Sequence, residues 1–205
     1  MTEDDARDWI EQRYGAAALA RLRLFADMVV EESGNQNLIA ASTIDHLWVR
    51  HMLDSAQLVP LAAAASAGTW LDIGTGAGFP GIVTALLSGT ETRLIEPRRR
   101  RAAFLDHVVE RLGLQHQISV AAIKVEAEVL KASVISARAV SQIDALLNSA
   151  RHCASKETIW LLPKGKTARE EVAQAQRSWH GVFHVEQSAT DPESLIVIAS
   201  KVSRR

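Results

Sequence analysis

Hydrophobic positions along this 205-residue chain change their spacing near residue 67. Upstream of that point they recur at intervals of three and four residues, which is typical of amphipathic helices. The clearest stripe consists of Leu19, Leu22, Phe25, Ala26 and Val29. A polar loop at 33–37 interrupts the pattern. A second helix is predicted to begin where Ser42 and Asp45 have the spacing of a capping box, and to loosen at Pro60. Residues 1–66 are therefore predicted to form an N-terminal helical extension packed on the rest of the chain.

Downstream of residue 67, short apolar runs alternate with amphipathic stretches. The runs predict strands at 69–74, 91–97, 118–123, 133–140 and 158–165. The stretches between and after them predict helices at 81–88, 100–114, 141–154 and 168–179. Two final apolar runs, 182–189 and 194–201, are joined by a polar segment and predict a hairpin. Alternating strands and helices form a parallel sheet with both faces covered. Residues 67–205 are therefore predicted to form one compact α/β, Rossmann-like unit, with a mostly parallel seven-stranded sheet and an antiparallel C-terminal hairpin.

Composition and charge narrow the function only a little. The formal net charge is −1, so any contact with nucleic acid has to come from a local basic patch. The single cysteine, Cys153, excludes an internal disulfide and predicts a reducing compartment. The acidic N-terminus does not resemble a signal peptide, and no apolar run reaches the roughly 20 residues of a membrane span. We expect a monomeric cytoplasmic protein with no membrane partner and, without a cysteine cluster or an HExxH motif, no metal site.

Four glycines lie at and after the end of the first predicted strand, in the segment LDIGTGAGFPG at 71–81. Residues 76–81 match the G-x-G-x-x-G pattern, which lets a backbone turn tightly and approach a ligand closely. Glu96 lies 20 residues beyond Gly76, at the end of the next predicted strand. A carboxylate at that position can accept hydrogen bonds from ribose hydroxyls. The residues of this predicted nucleoside site are Gly74, Gly76, Gly78 and Glu96.

The charge of Asp72, two residues before the first glycine of the loop, bears on which nucleoside binds. A dinucleotide places its pyrophosphate at the N-terminus of the following helix, and a carboxylate beside that anion would repel it. S-adenosyl-L-methionine has no phosphate and carries a cationic sulfonium and amino group, so Asp72 is favourable to it. The residues therefore favour a methyl donor, and an NAD-dependent oxidoreductase stays open as an alternative.

Several motifs together resemble the bacterial glucose-inhibited division protein B family, from about Asn37 to the C-terminus. They are NL at 37–38, VRHMLDS at 49–55, LDIGTGAGFPGI at 71–82, RRAAFL at 100–105, SARAV at 136–140 and PKG at 163–165. This family is the small-subunit (16S) ribosomal RNA methyltransferase that acts on N7 of a guanosine. The resemblance implies a class I methyltransferase fold and S-adenosyl-L-methionine as cofactor. It also implies 16S ribosomal RNA, or a small ribosomal subunit or its assembly intermediate, as partner.

The same resemblance implies roles for individual residues. Gly74 and Phe79 match family positions that contact the cofactor. Val125 and Glu126 match a pair near the adenine, and Arg138 matches an arginine that lines the site. The full set of predicted cofactor-binding residues is Asp72, Gly74, Gly76, Gly78, Phe79, Glu96, Val125, Glu126 and Arg138. The chain departs from the family pattern at Glu32-Ser33, at Glu96-Pro97 and at Ala137.

The implied chemistry asks for alignment of the reactants and not for a general base, because guanine N7 carries a lone pair and no proton. No catalytic base is predicted, since His51, Asp54 and Ser55 have the spacing of neighbours on one helix and not of a triad. The predicted substrate-binding residues are Arg50, His51, Arg98, Arg138 and Lys164. N7 of a paired guanine is hidden in the deep major groove of RNA, so we expect an exposed loop or an assembly intermediate as substrate. A ribosome-assembly factor that binds RNA without catalysis is the second alternative.

Overall fold

A computed structural model describes all 205 residues of the chain. The first helix, α1, spans Glu3–Ser33 and changes direction at Gly15, whose φ is +84°. It begins with a capping box in which Thr2 and Asp5 each bond the backbone N–H of the other. The predicted stripe of α1 is confirmed, because all five of its residues are buried.

The second predicted helix has a different form. Its segments are a 3₁₀ helix (Ala41–His46), a π-helical segment (Trp48–Leu53) and two short α-helices, α2 (Asp54–Ala56) and α3 (Leu58–Leu61). No side chain caps the 3₁₀ helix, so the capping box predicted at Ser42 and Asp45 is wrong. The N–H groups of Trp48 and Val49 instead donate to the carboxylate of Glu3, each over 2.9 Å. The side chain of Glu3, on α1, thus caps the π-helical segment, and no side chain within the segment itself does so.

The sheet has seven strands. In chain order they are β1 (Trp70–Ile73), β2 (Thr92–Ile95), β3 (Ile118–Ala121), β4 (Val134–Ala137), β5 (Ile159–Lys164), β6 (Trp179–Gln187) and β7 (Leu195–Arg204). Their order across the sheet is β3-β2-β1-β4-β5-β7-β6. Strand β7 runs antiparallel to both of its neighbours, and the other pairs are parallel. The predicted mostly parallel sheet with a C-terminal hairpin is confirmed.

Helices connect the strands and cover both faces of the sheet. They are α4 (Gly81–Ser88), α5 (Arg99–Arg111), α6 (Ile143–Ala150) and α7 (Ala168–Ala175), with 3₁₀ turns at Val125–Ala127 and Arg151–Cys153. The strand order reverses between β1 and β4, which are neighbours in the sheet. Open α/β sheets bind ligands at such a point, outside the carboxyl ends of the strands. The loops after β1, β2, β4 and β5 therefore lie along one edge of the sheet, where a ligand site is expected.

The N-terminal helices share a hydrophobic core with the sheet. One buried cluster joins α1 to α4 and α5, and a second lies between the sheet and the helices α6 and α7. Phe25 of α1 packs on Phe79 of the glycine loop, with ring centroids 5.1 Å apart. This contact braces the loop between β1 and α4 from outside the sheet. None of the helices combines the length and apolarity that crossing a lipid bilayer requires.

Candidate active site

One buried carboxylate holds the glycine loop between β1 and α4. Asp72 is fully buried, and its Oδ2 accepts the N–H of Gly81 over 3.0 Å. Its Oδ1 accepts the hydroxyl of Ser136, on β4, over 2.6 Å. Only glycine fits at position 81, because an added Cβ would lie 2.8 Å from Oδ2 of Asp72 and 2.3 Å from Leu94. The carboxylate therefore ties together β1, β4 and the start of α4.

Asp72 lines neither of the two cavities described below, which corrects the expectation that its charge faces the cofactor. Side chains alternate along a strand. Leu71 and Ile73 pack in the cluster that contains α6, so Asp72 points to the opposite face, beneath α4. Burial raises the pKa of this carboxyl to about 6, although hydrogen bonds from Ser136 and Gly81 act in the other direction. Its position in the chain was visible in the sequence, but the direction of its side chain was not.

A cavity of about 530 Å³ lies at the glycine loop, and we call it the glycine-loop cavity. Gly74 and Gly76 line it with left-handed backbone, at φ +66° and +60°, and the ring of Phe79 lines it as well. Glu96 also lines it and is only 2% exposed. Its Oε2 accepts the N–H of Gly76 over 3.0 Å, and its Oε1 accepts the N–H of Arg98 over 2.9 Å. The predicted pairing of the glycine loop with the acid at the end of β2 is therefore present in the fold.

Besides Asp72, three predicted cofactor residues lie outside the lining of this cavity. A Cβ at Gly78 would meet Ile82 at 2.9 Å and Phe25 at 3.0 Å, so this glycine allows α1 to pack against the loop. Val125 is buried and Glu126 is exposed in the turn after β3, the outermost strand on that side. The lining also includes residues to which the sequence analysis assigned no role, namely Leu38, Ile39, Ala40, Arg101, Ala139 and Val140. Only Ile39 and Ala40 of these lie outside the motifs quoted there.

A second cavity, of about 620 Å³, lies over the carboxyl ends of β4 and β5, and we call it the strand-end cavity. The residues that line both cavities are His51, Arg138, Ala139 and Val140. Val140 sits directly on the glycine loop, since a Cβ at Gly74 would lie 2.7 Å from its Cγ2. The predicted substrate residues Arg50, His51, Arg138 and Lys164 line the strand-end cavity, and Arg98 lines the glycine-loop cavity. The two cavities therefore adjoin across one shared wall.

A directed chain of hydrogen bonds runs through that shared wall. The guanidinium of Arg138 lies 2.8 Å from Nδ1 of His51 and, as a donor only, requires this nitrogen to accept. The ring proton is therefore on Nε2, which donates to the hydroxyl of Thr43 over 2.9 Å. Thr43 in turn donates to the carbonyl of Ala40 over 2.7 Å. His51 also stacks on Phe79, with ring centroids 5.1 Å apart. The chain joins the loop after β4 to the segment that follows α1.

The electrostatic environment keeps His51 neutral. Burial is the main cause, and the positive charges of Arg138 and Arg50 add to it; together they lower the pKa of the imidazole to about 3. The ring is therefore a hydrogen-bonding wall element at neutral pH and not a cation. It has no carboxylate partner of the kind that a nucleophilic triad needs, because Asp54 bonds Arg138 instead.

Each cation that lines the strand-end cavity is paired with a carboxylate. Arg50 bonds Asp191 over 2.7 Å, and Arg138 bonds Asp54 over 3.2 Å. Lys164 bonds Glu171 over 2.8 Å and also donates to the carbonyl of Ser141. The ammonium of Lys164, predicted to bind substrate, is thus engaged within the chain. The wall of this cavity is close to charge-balanced.

The loop between β6 and β7 closes the strand-end cavity against the N-terminal helices. The side-chain amide of Gln57 donates to the hydroxyl of Ser188 over 2.9 Å and accepts the N–H of Ala189 over 2.9 Å. The hydroxyl of Thr190 donates to Asp54 over 3.2 Å. These partners are more than a hundred residues apart along the chain, and no sequence pattern connects them.

The sheet order and the cavities at its carboxyl edge define the class I methyltransferase fold. A solved structure of a MtNAS mutant in complex with S-adenosylmethionine is similar, with a TM-score of 0.62 and 14% identity, over 98% of this chain and 84% of that chain. M. jannaschii TYW2 in complex with AdoMet is similar with a TM-score of 0.56 and 12% identity, over 74% of this chain and 77% of that chain.

Sequence relatives are more specific. A family model described as GidB, rRNA small subunit methyltransferase G, matches residues 18–192. The ribosomal RNA small subunit methyltransferase G of Rhizorhabdus wittichii is 44% identical over 209 residues, which cover 100% of this chain and 95% of that relative. The corresponding protein of Sphingopyxis alaskensis is 42% identical over 97% of this chain and 86% of that relative. The chain belongs to the rRNA small subunit methyltransferase G family, and the resemblance found in the sequence is confirmed.

Proposed function

We propose that this protein transfers a methyl group from S-adenosyl-L-methionine to N7 of a guanosine in 16S ribosomal RNA. The observation that carries the proposal is the wall shared by the two cavities, built from His51, Arg138, Ala139 and Val140. Because these residues line both cavities, a cofactor in the glycine-loop cavity and a base in the strand-end cavity are neighbours. The arrangement suits a direct transfer between two bound reactants.

The residues of the glycine-loop cavity fit the cofactor. Glu96 uses one acceptor position on each oxygen for backbone N–H groups, which leaves positions for ribose hydroxyls. Leu38, Ile39 and Phe79 add apolar walls suited to a purine. A dinucleotide fits less well, because Asp72 already accepts the N–H of Gly81, at the helix start where a pyrophosphate binds. A methyl donor is therefore still favoured over a dinucleotide. The reason is the hydrogen bond from Gly81 to Asp72, and not a charge of Asp72 that faces the cofactor.

The chemistry requires little from titratable side chains. S-adenosyl-L-methionine supplies a methyl group on a positively charged sulfur, and attack by the N7 lone pair breaks the carbon–sulfur bond and leaves the charge on guanine. No proton moves in that step, which agrees with a neutral His51 held by Arg138. Each cation of the strand-end cavity is paired with a carboxylate, and two of these carboxylates, Asp54 and Glu171, line the cavity themselves. Such a wall tolerates a base that becomes cationic better than an unpaired cluster of cations would.

The RNA backbone has two candidate partners beside the glycine-loop cavity. Arg98 and Arg99 are exposed at the start of α5, and their guanidinium groups make no hydrogen bond within the chain. Arg100 and Arg101, by contrast, donate to the backbone carbonyls of Asn35 and Asn37. We assign phosphate contacts to the first pair and a structural role to the second.

The test is the position and chemistry of the modification. Small subunits from a strain that lacks the gene are incubated with the protein and labelled S-adenosyl-L-methionine, and the RNA is cleaved with borohydride and aniline, which act at 7-methylguanosine. We expect 16S RNA to carry label before this treatment and to be cleaved at one position by it. RNA binding without label transfer would instead support the assembly factor, and calorimetric binding of NAD without binding of S-adenosyl-L-methionine would support the oxidoreductase.

The remaining assignments belong to the same proposal. We assign the protein to the cytoplasm, where ribosomal subunits are made, and treat it as a monomer with residues 1–66 as an extension on the unit formed by 67–205. Gel filtration with light scattering tests the monomer. A stable dimer at micromolar concentration would contradict it.

A further inference from the structure

Two carboxylates line the strand-end cavity, and they differ in how completely they are used. Oδ1 of Asp54 accepts from the amide of Gln57 over 3.0 Å and from the hydroxyl of Thr190 over 3.2 Å. Oδ2 accepts from Arg138 over 3.2 Å. All of these donors are side chains of the protein that join separate segments around the cavity. Both oxygens of Asp54 are therefore already hydrogen-bonded within the chain.

Glu171, the second carboxylate, makes most of its hydrogen bonds through one of its two oxygens. Its Oε2 accepts from the N–H of Ile143 over 3.1 Å and from the ammonium of Lys164 over 2.8 Å. Its Oε1 has only a 3.3 Å contact with the exposed hydroxyl of Thr167. Each carboxylate oxygen offers about two acceptor positions, so Oε1 retains capacity for a further donor, and Glu171 is among the residues that line the cavity. The side chain is 15% exposed and is held in place through its other oxygen.

A guanine base offers the donors that such an oxygen needs. Its Watson–Crick edge carries the N1–H and the 2-amino group, both hydrogen-bond donors, whereas adenine presents an unprotonated N1 at the same place. Enzymes that modify an extruded base read this edge by hydrogen bonds. A carboxylate oxygen accepts hydrogen bonds from guanine, which favours its binding. It repels N1 of adenine, because both atoms are acceptors, and this disfavours adenine. Methylation at N7 makes the base cationic, which strengthens its donors toward a carboxylate.

We propose that Glu171 is a specificity-determining residue, whose Oε1 accepts hydrogen bonds from the Watson–Crick edge of the target guanine in the strand-end cavity. The proposal rests on the function proposed above. Lys164 is then a positioning residue: it holds Oε2 of Glu171 and, through the carbonyl of Ser141, the loop that follows Arg138. Its charge also keeps the cavity balanced when Glu171 is ionised.

The experiment pairs a protein change with an atomic change in the RNA. Small subunits are reconstituted with 16S RNA that carries guanosine or inosine at the methylated position, because inosine lacks only the 2-amino group. The kcat/KM for methylation is measured for wild type, Glu171→Gln and Glu170→Gln. Glu170 is the matched control, an exposed acid one residue earlier on α7.

With wild type and with Glu170→Gln, we expect inosine to lower kcat/KM about tenfold, since a hydrogen bond to a charged group is lost. With Glu171→Gln, guanosine itself is methylated about tenfold more slowly, and inosine causes less than about a twofold further loss. An equal inosine penalty in wild type and Glu171→Gln would overturn the assignment of Glu171.

Two further measurements separate a failed inference from other failures. The affinity of Glu171→Gln for S-adenosyl-L-methionine is expected to stay at the wild-type value. Its melting temperature is expected to fall only slightly, because its amide oxygen can still accept from Ile143 and Lys164 although the charge of the ion pair is lost. A large loss of either would overturn a purely substrate-reading role. Absence of 7-methylguanosine with wild type and guanosine RNA would reject the proposed function itself, and this inference with it.

Discussion

Arg138 donates a hydrogen bond to Nδ1 of His51 over 2.8 Å, although 87 residues separate them in the chain. The contact joins the loop after β4 to the π-helical segment of the N-terminal region, and both residues line both cavities. It also determines which nitrogen of His51 carries the proton. The main consequence is a pH dependence that can be measured.

Replacement of His51 by Gln is expected to change how stability depends on pH. An unfolded histidine titrates near 6.5, and the folded His51 near 3, so the unfolded chain binds more protons between these values. The free energy of unfolding of wild type therefore falls as the pH is lowered through this window. The advantage of wild type over His51→Gln should shrink by about 1.4 kcal/mol per pH unit from pH 6.5 downward.

Urea unfolding of both proteins at several pH values measures this difference. Asp72 titrates in the same window, but it is present in both proteins and cancels in the comparison. A difference that stays constant between pH 7 and about pH 4 would contradict a neutral His51 in the folded state.

Two replacements of Asp72 separate a structural from a cofactor-binding role. Asp72→Ala leaves the buried N–H of Gly81 unpaired, at an expected cost of about 1–3 kcal/mol in unfolding free energy. Asp72→Asn keeps an acceptor for Gly81 and an amide that can bond Ser136. Its affinity for S-adenosyl-L-methionine is therefore expected to stay within about threefold of wild type, which corresponds to less than 1 kcal/mol. If calorimetry shows a loss well beyond that for Asp72→Asn in a protein that melts normally, the charge itself contributes to cofactor binding.

Gly74 and Gly89 form a matched pair for testing the contact with Val140. Both have left-handed backbone, at φ +66° and +71°, but a Cβ at Gly89 meets nothing within 4 Å. Alanine at either position should cost about 1–2 kcal/mol of stability through backbone strain. Only Gly74→Ala should also reduce cofactor affinity, because its Cβ displaces Val140. Adding Val140→Ala should restore part of that affinity, and a double variant no better than Gly74→Ala would rule out this cause.

Glu96→Ala is expected to weaken binding of S-adenosyl-L-methionine by about 1–3 kcal/mol, the cost of leaving polar groups unpaired. Two sources contribute, namely the ribose hydroxyls and the N–H of Gly76 that Glu96 orients. Glu96→Gln keeps one acceptor and should lie between the two proteins. Calorimetry measures the affinity, and an unchanged value would remove Glu96 from the site.

Alanine at Arg98 and Arg99 should weaken RNA binding, because their exposed guanidinium groups are the candidate phosphate contacts. Each lost phosphate contact lowers the dependence of log K on log salt concentration by about 0.7–0.9. Filter binding of 16S RNA at several salt concentrations measures this slope. Arg177→Ala, at an exposed arginine beyond α7, serves as the control. Equal slopes for the control and the Arg98/Arg99 variant would place the RNA elsewhere.

Much of the fold could be read from spacing alone. The helix at 81–88 and the terminal hairpin were predicted within a few residues, because side-chain direction repeats every 3.6 residues in a helix and every two in a strand. Glu96 and the loop glycines were found because parallel strands bring their carboxyl ends to one edge. The second helical segment begins within one residue of the predicted start, but its capping box was predicted wrongly, since no side chain caps it.

The sequence by itself therefore determined the order of the elements, the edge of the sheet that carries the site, and the family. Only the tertiary structure decided that Asp72 turns beneath the glycine loop and that Arg138 faces His51 and Asp54. It also decided that Oε1 of Glu171, a residue that lines the strand-end cavity, has only a 3.3 Å contact with Thr167. The physical reason is range: spacing along the chain reports contacts a few residues away, whereas these partners are brought together only when separate elements pack.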